Sequence, residues 1–144
     1  MESWRKVWRE GLAPLMATTE LQALERGLAR DDVRLTQGAT SVPPLVQHLM
    51  DWPVEGACVV SYGAWQTDEL ATVGELEAHF AATCWEADRR LGEPAAMRYF
   101  LNWYDEAPRD EMRRELLCEI RHELAGRFEP APAAARYEAE FVAA

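Results

Sequence analysis

Two pairs of glutamate and histidine have a spacing that could hold a metal ion. Glu119 and His122 stand three residues apart on a predicted helix, the Glu-x-x-His spacing that brings two ligands to one ion in di-iron helical bundles. Glu75 and His79 stand four apart and could act as two ligands, or as a base with its orienting carboxylate. A di-iron site needs two Glu-x-x-His motifs and two more glutamates, whereas this chain has one such motif. The pattern therefore favours solvated polar side chains facing away from the core, and a small helical metalloprotein is our third hypothesis.

The cysteines indicate neither a catalytic nucleophile nor a disulfide framework. They are three in number and widely spaced, which is typical of reduced thiols in a cytosolic protein. Cys58 and Cys84 fall among apolar residues, and Cys118, one helical turn from His122, is surrounded by acids that disfavour a thiolate. Glycine-rich phosphate loops, Cys-x-x-Cys pairs and the Gly-x-Ser-x-Gly motif do not occur in the sequence. We therefore assign no catalytic residue and expect no cofactor, and a non-enzymatic role is favoured over an enzymatic one.

Aromatic residues are the more suggestive feature, since the chain has six tryptophans. Trp4 and Trp8 lie one turn apart on the first predicted helix. Tyr99 and Trp103, with Arg98 beside them, lie one turn apart on a later helix. Tryptophan, tyrosine and arginine dominate the residues that anchor protein–protein interfaces. These side chains are candidate anchors for a partner, although burial between helices is the favoured alternative for Tyr99 and Trp103.

Charge is distributed unevenly along the chain, whose formal net charge is −10. Residues 1–50 are neutral in sum, whereas 51–88 contain eight acids and no lysine or arginine. The acids of this acidic flank are Asp51, Glu55, Asp68, Glu69, Glu75, Glu77, Glu86 and Asp88. The flank could steer a basic partner, or imitate a phosphate backbone, while a solubilising surface is the favoured alternative. The same charge argues against direct nucleic-acid binding and against docking to an anionic membrane.

Helical periodicity and end signals predict helices through most of the chain. Capping boxes at Thr19–Gln22 and Thr72–Glu75 open two of them, Pro14 should end the first, and Gly92 should stop the clearest one. The predicted helices span 4–13, 19–30, 53–65, 73–91, 94–107 and 108 to about 126, with one or two turns at 45–50.

One segment is open to two interpretations. Pro53 suits a helix start, and the residues from there to Trp65 are apolar nearly all round, as in a buried central helix. A strand over 58–62 competes with it, because Val59, Val60 and Tyr62 favour sheets. The helix is preferred, since no second strand-like segment is evident that could pair with such a strand.

The composition changes after Phe128. Residues 129–135 are proline and alanine apart from one glutamate, which is typical of a semi-rigid linker. Tyr137 and Phe141 follow at a spacing of four, which would suit a short helix that docks in a groove.

These patterns predict an all-α fold, with a single compact domain of six to seven helices over 1–128 and a Pro/Ala-linked C-terminal extension over 129–144. The first functional hypothesis is a protein–protein interaction module or accessory subunit that uses an aromatic patch and the acidic flank. The second is an acidic regulator that occupies the basic channel of a nucleic-acid-processing enzyme. The sequence shows no secretion signal and no apolar segment of membrane-spanning length, so the expected location is the cytoplasm.

Overall fold

A computed structural model describes residues 3–128 and confirms the all-α prediction. The predicted C-terminal segment with Tyr137 and Phe141 lies outside these residues. The helices of the described part are α1 (Trp4–Val7), α2 (Thr18–Ala29), α3 (Val59–Gln66), α4 (Val73–Leu91), α5 (Met97–Glu106) and α6 (Arg109–Phe128). Two short strands, β1 (Ser41–Val42) and β2 (Gly56–Ala57), pair in antiparallel fashion between α2 and α3.

The first helix changes its hydrogen-bond pattern rather than ending at Pro14. Ser3 caps it, since its hydroxyl accepts a hydrogen bond from the Lys6 amide. A π-helical turn over Trp8–Leu12 follows α1, and a 3-10 turn over Ala13–Leu15 completes the path. Proline is tolerated there because the first residues of a helical turn need no amide donor. The prediction that Pro14 ends the helix is therefore wrong, because a 3-10 turn continues through Pro14 to Leu15.

The second helix begins one residue before the predicted cap. Its N-cap is Ala17, and no side chain caps it, so the capping box predicted at Thr19–Gln22 is not formed. The spacing of Leu21, Leu24 and Leu28 puts a leucine stripe on one side of the helix, and all three side chains are fully buried. These leucines point into the core while α2 packs against both α3 and α6.

The segment 53–65 divides into a strand and a helix. Gly56 pairs with Val42 and Ala57 with Ser41, so the predicted helix start at Pro53 is wrong. The preference for helix over strand is confirmed from Val59 onward. The strand partner lies at 41–42, between Gly38 and the prolines Pro43 and Pro44, residue types that favour a connection over a strand.

The ends of α4 follow their sequence signals. Thr72 and Glu75 form the predicted capping box, and Gly92 ends the helix in the left-handed region at φ 70°. α5 begins at Met97 rather than at Pro94. The Asp88 carboxylate accepts the amide hydrogens of Ala95 and Met97, which fixes the turn between the two helices.

The core lies where α1 and its π-helical turn meet the other helices. α5 packs against α1, and α4 packs against α3 and the π-helical turn. The largest fully buried side chains are Trp8, Tyr62, Tyr104, Phe100, Leu12, Leu21, Leu24, Leu28, Leu35, Leu76, Met112 and Leu116. Within residues 3–128, no helix combines the length and apolarity that a membrane crossing requires.

Candidate functional site

The predicted anchor Trp8 belongs to the core. Its side chain is 0% exposed, and its ring lies 5.7 Å from that of Phe100. The expectation that Trp8 contacts a partner is therefore corrected, because a side chain without exposed surface cannot reach another protein while the fold is intact.

Trp4, Tyr99 and Trp103 are half-buried, Arg98 is exposed, and the contact between Trp4 and Trp103 packs α1 against α5. The Trp4 and Trp103 rings stack at 3.6 Å with an interplanar angle of 4°. Arg5 lies over the Trp4 ring at 4.5 Å, and Arg98 lies over the ring of Tyr99 at 4.9 Å. Stacking of this kind stabilises the contact between the two helices. A role for Trp4, Arg98, Tyr99 and Trp103 in partner binding stays a prediction.

The metal candidates are engaged by other groups or stand apart. The Glu75 carboxylate accepts hydrogen bonds from the amide and hydroxyl of Thr72. His79 Nδ1 lies 2.9 Å from the Ser61 hydroxyl, and burial lowers the pKa of His79. His122 is exposed on α6. Across residues 3–128, no three histidine, cysteine, aspartate or glutamate side chains are grouped so that they could hold a metal ion.

Glu119 is buried, which corrects the expectation that it faces solvent. Its side chain is 5% exposed and accepts two hydrogen bonds from Arg9, at 2.6 Å to Nε and 2.9 Å to Nη2. Arg5 Nε lies 3.7 Å from the same carboxylate. Glu119 stands seven residues, about two turns, after the buried Met112, so it shares the apolar side of α6. Arg5 and Arg9 neutralise the Glu119 carboxylate there, so its burial is explained without a metal ion.

Two of the cysteines are poor nucleophiles. Burial raises the pKa of the Cys58 thiol and of the Cys84 thiol to about 12, so both stay protonated at neutral pH. Cys118 is exposed on α6.

Half of the acidic flank is used to hold the fold. Glu75 caps α4, Glu77 accepts a hydrogen bond from Ser41, Glu86 pairs with Arg89, and Asp88 holds the turn before α5. The exposed acids that remain are Asp51, Glu55, Asp68 and Glu69.

The protonation of Glu20, which lies next to Glu69 of the acidic flank, should affect stability near neutral pH. Burial, and then the adjacent Glu69 carboxyl, raise the pKa of Glu20 to about 7. In an unfolded chain the pKa is about 4.3, so the folded protein binds the proton more tightly. The free energy of unfolding should therefore fall as the pH rises from about 4.5 to 7.

Replacing Glu20 by glutamine should remove this pH dependence. We expect Glu20→Gln to raise the free energy of unfolding at pH 8 by about 1–2 kcal/mol, less than the full shift implies because the carboxyl is partly solvated. At pH 4.5 the difference should vanish. Urea unfolding at both pH values measures it, with Glu111→Gln on the exposed side of α6 as the control. Equal gains at both pH values would contradict the assignment.

A surface that the sequence did not indicate lies on the end of β1 and on the loop that joins it to β2. Five of the eight large apolar side chains that are exposed in residues 3–128 fall within this short stretch. We name them the loop patch: Val42, Leu45, Val46, Met50 and Trp52. The most exposed of them are Trp52 at 50% and Met50 at 49%. Exposed apolar side chains gathered in this way commonly mark an interaction site.

The loop that carries the patch is held at several points. The Glu55 amide donates to the Val42 carbonyl at 2.7 Å, which closes the base of the loop beside the β1–β2 pair. Farther along, the Gly74 amide donates to the Met50 carbonyl and the Val73 amide to the Trp52 carbonyl, at 2.8 and 2.9 Å. A long surface loop with closely spaced ends is an Ω-loop, a type that is frequently functional.

These bonds place the patch over the beginning of α4. The first amides of a helix have no partner within it, and here the Met50 and Trp52 carbonyls accept two of them. Gly74 permits the close approach, because a Cβ on it would stand 3.1 Å from the Met50 carbonyl oxygen. The loop and the helix start therefore form one surface.

Comparison with known proteins adds no functional information. No model of a known protein family matches the chain, and neither a curated protein nor a solved structure is significantly similar to it. The function must therefore be argued from the loop patch and its surroundings.

Proposed function

We propose that this protein is a non-enzymatic protein–protein interaction module or accessory subunit whose binding surface is the loop patch. The observation that carries the proposal is the gathering of five exposed apolar side chains on one loop with a fixed backbone. Interface cores are apolar, and tryptophan is enriched among the residues that contribute most to binding. Trp52 and Met50 are the natural anchors, because they offer the largest exposed apolar surfaces of the patch.

The hydrogen-bonded backbone of the loop supports a role in binding. Binding to a preordered loop costs less conformational entropy than binding to a loop that must first become ordered. Hydrogen bonds to Val73 and Gly74 tie the patch to α4, so the apolar side chains are presented without rearrangement.

The alternative of an acidic inhibitor receives less support. A mimic of a phosphate backbone needs a row of free carboxylates, whereas Glu75, Glu77, Glu86 and Asp88 are held by groups of the protein itself. The free thiols Cys58, Cys84 and Cys118 favour a reducing compartment, so we propose that the partner is met in the cytoplasm.

Removing the anchor Trp52 together with a second exposed side chain of the loop patch should abolish partner binding without unfolding the protein. We expect the double variant Leu45→Ser/Trp52→Ala to lose a partner that the unmodified protein recovers, by at least about tenfold, since a central anchor contributes about 2 kcal/mol or more. Both side chains are exposed, so the helical circular dichroism and the unfolding midpoint should change little. Affinity purification from cells that naturally contain the protein, with quantitative mass spectrometry, measures the loss.

The matched control is Val33→Ser/Phe128→Ser, which removes two exposed apolar side chains away from the loop. It should recover the same partner as the unmodified protein. Unchanged recovery with the loop variant, together with loss on Trp4→Ala/Tyr99→Ala, would move the interface to the aromatic residues of α1 and α5.

A further inference from the structure

The charged residues that the described part of the chain places on the loop and at its contacts with α4 are acidic. Asp51 is exposed between Met50 and Trp52, and Glu55 is exposed at the base of the loop. Glu75 is exposed on the first turn of α4, next to the glycine that the Met50 side chain covers. Glu77 reaches the start of the loop through its hydrogen bond with Ser41. Acidic residues therefore lie on the loop itself and on the part of α4 that the loop contacts.

The segments that build this surface carry no lysine or arginine. None occurs from residue 35 to residue 88, which includes both strands, the loop, α3 and the first turns of α4. Arg34 lies beside β2, since its carbonyl accepts a hydrogen bond from the Ala57 amide. Its guanidinium, however, binds Asp32 and lies over the Trp65 ring. Within residues 3–128, the carboxylates of Asp51 and Glu55 form no ion pair with a lysine or arginine.

Charge also decides between possible occupants of the patch. A second copy of the chain would bring the same acids against it, which opposes self-association through this face. The C-terminal residues of this chain are acidic too, since 129–144 contain Glu129, Glu138 and Glu140 against one arginine. An anionic membrane would be repelled in the same way.

Resting on the proposed function, we infer that the occupant is a basic, amphipathic segment of another protein, which places lysine or arginine around an apolar anchor. The anchor packs on Trp52 and Met50, and the cations meet Asp51 and Glu55. The apolar contact supplies most of the affinity, while the carboxylates raise the association rate and select against acidic segments. Binding should therefore weaken as salt is added.

Photo-crosslinking inside cells tests the inference directly. A photoreactive amino acid is placed at Leu45 or Trp52, with Phe128 as the control position, because all three side chains are exposed. Mass spectrometry then identifies the crosslinked peptide of the partner. We expect one protein to crosslink from both loop positions and not from Phe128, through a segment that is apolar and has a net positive charge.

A synthetic peptide of that segment measures the contribution of the carboxylates. Its affinity should fall at least tenfold between about 50 and 500 mM NaCl, and by a similar factor with Asp51→Asn/Glu55→Gln. The matched control Asp68→Asn/Glu111→Gln removes two charges elsewhere and should leave the affinity within twofold. Asparagine suits position 68, where φ is 63°.

The outcomes separate the inference from the proposed function. An acidic or uncharged crosslinked segment, or an affinity that salt and Asp51→Asn/Glu55→Gln leave unchanged, overturns the basic partner and keeps the interaction surface. Crosslinks to lipid, or no crosslink from either loop position, overturn the proposed function itself.

Discussion

Replacing Trp8 by alanine should lower the free energy of unfolding by about 3–5 kcal/mol, as expected for a large aromatic side chain removed from a packed core. Trp8 is fully buried at the junction of α1 and its π-helical turn and packs against Phe100 of α5. Alanine would leave a cavity that neighbouring side chains fill only in part. Urea unfolding followed by far-ultraviolet circular dichroism measures the loss.

Trp85 provides a control with the same change of side chain. It is 65% exposed on α4, where its main neighbour is Arg89 at 5.4 Å from the ring. Trp85→Ala should therefore change the free energy of unfolding by less than about 1 kcal/mol. Equal losses in the two variants would contradict the assignment of Trp8 to the core. Loss of a partner without loss of stability in Trp8→Ala would restore it as an interface residue.

Replacing Gly63 by alanine should separate α2 from α3. A Cβ at this position would stand 2.6 Å from the Glu20 carbonyl oxygen, which belongs to the backbone and cannot rotate away. On the other side of the contact, a Cβ on Gly27 would meet the buried Tyr62 ring at 2.6 Å. We expect Gly63→Ala to lower the free energy of unfolding by about 2–3 kcal/mol, even though alanine is the better helix former.

Gly126→Ala is the matched control for Gly63→Ala. Gly126 is also helical, but a Cβ there would meet nothing within 4 Å. Only helix propensity acts at this position, so we expect a gain of about 0.5–1 kcal/mol. Chemical unfolding of both variants separates the two effects by sign. A gain in Gly63→Ala as well would show that α2 and α3 are not in close contact.

Local signals in the sequence predicted the parts of the fold that local interactions determine. The capping box at Thr72–Glu75 and the left-handed Gly92 define α4 with nearest neighbours alone, and both were found where expected. The leucine stripe of α2 was equally predictable, because burial of one side of a helix requires only the right periodicity.

Long-range pairing explains why no helix starts at Pro53. Pro53 and Glu55 resemble a helix start, yet the Glu55 amide binds the Val42 carbonyl and Gly56 pairs with Val42 in the sheet. Nothing in either segment alone specifies the other as its partner. The helix starts at Val59, beyond the residues that make these contacts.

Exposure and ion pairing were beyond prediction for the same reason. Apolar residues such as Leu45, Met50 and Trp52 are usually buried, and their exposure depends on where the loop lies on α4. Glu119 shows the converse, since its burial depends on arginines that stand about 110 residues earlier in the chain. Hydrophobic periodicity assigns apolar residues to the core and charged residues to the surface. It therefore predicts the wrong exposure for the loop residues and for Glu119.

The β1–β2 pair has a consequence for how this protein could change over evolutionary time. It brings Val42 and Gly56 together, so the fold on either side is joined whatever the chain does in between. Closing a longer loop costs little more conformational entropy, about 0.6 kcal/mol in free energy for each doubling of its length. Residues 43–49 could therefore lengthen, shorten or exchange their apolar side chains while the helices keep their packing, whereas Met50 and Trp52 are bonded to α4 and Val54 is buried in the core. The first half of the loop, and with it part of the binding surface, can in this sense drift independently of stability.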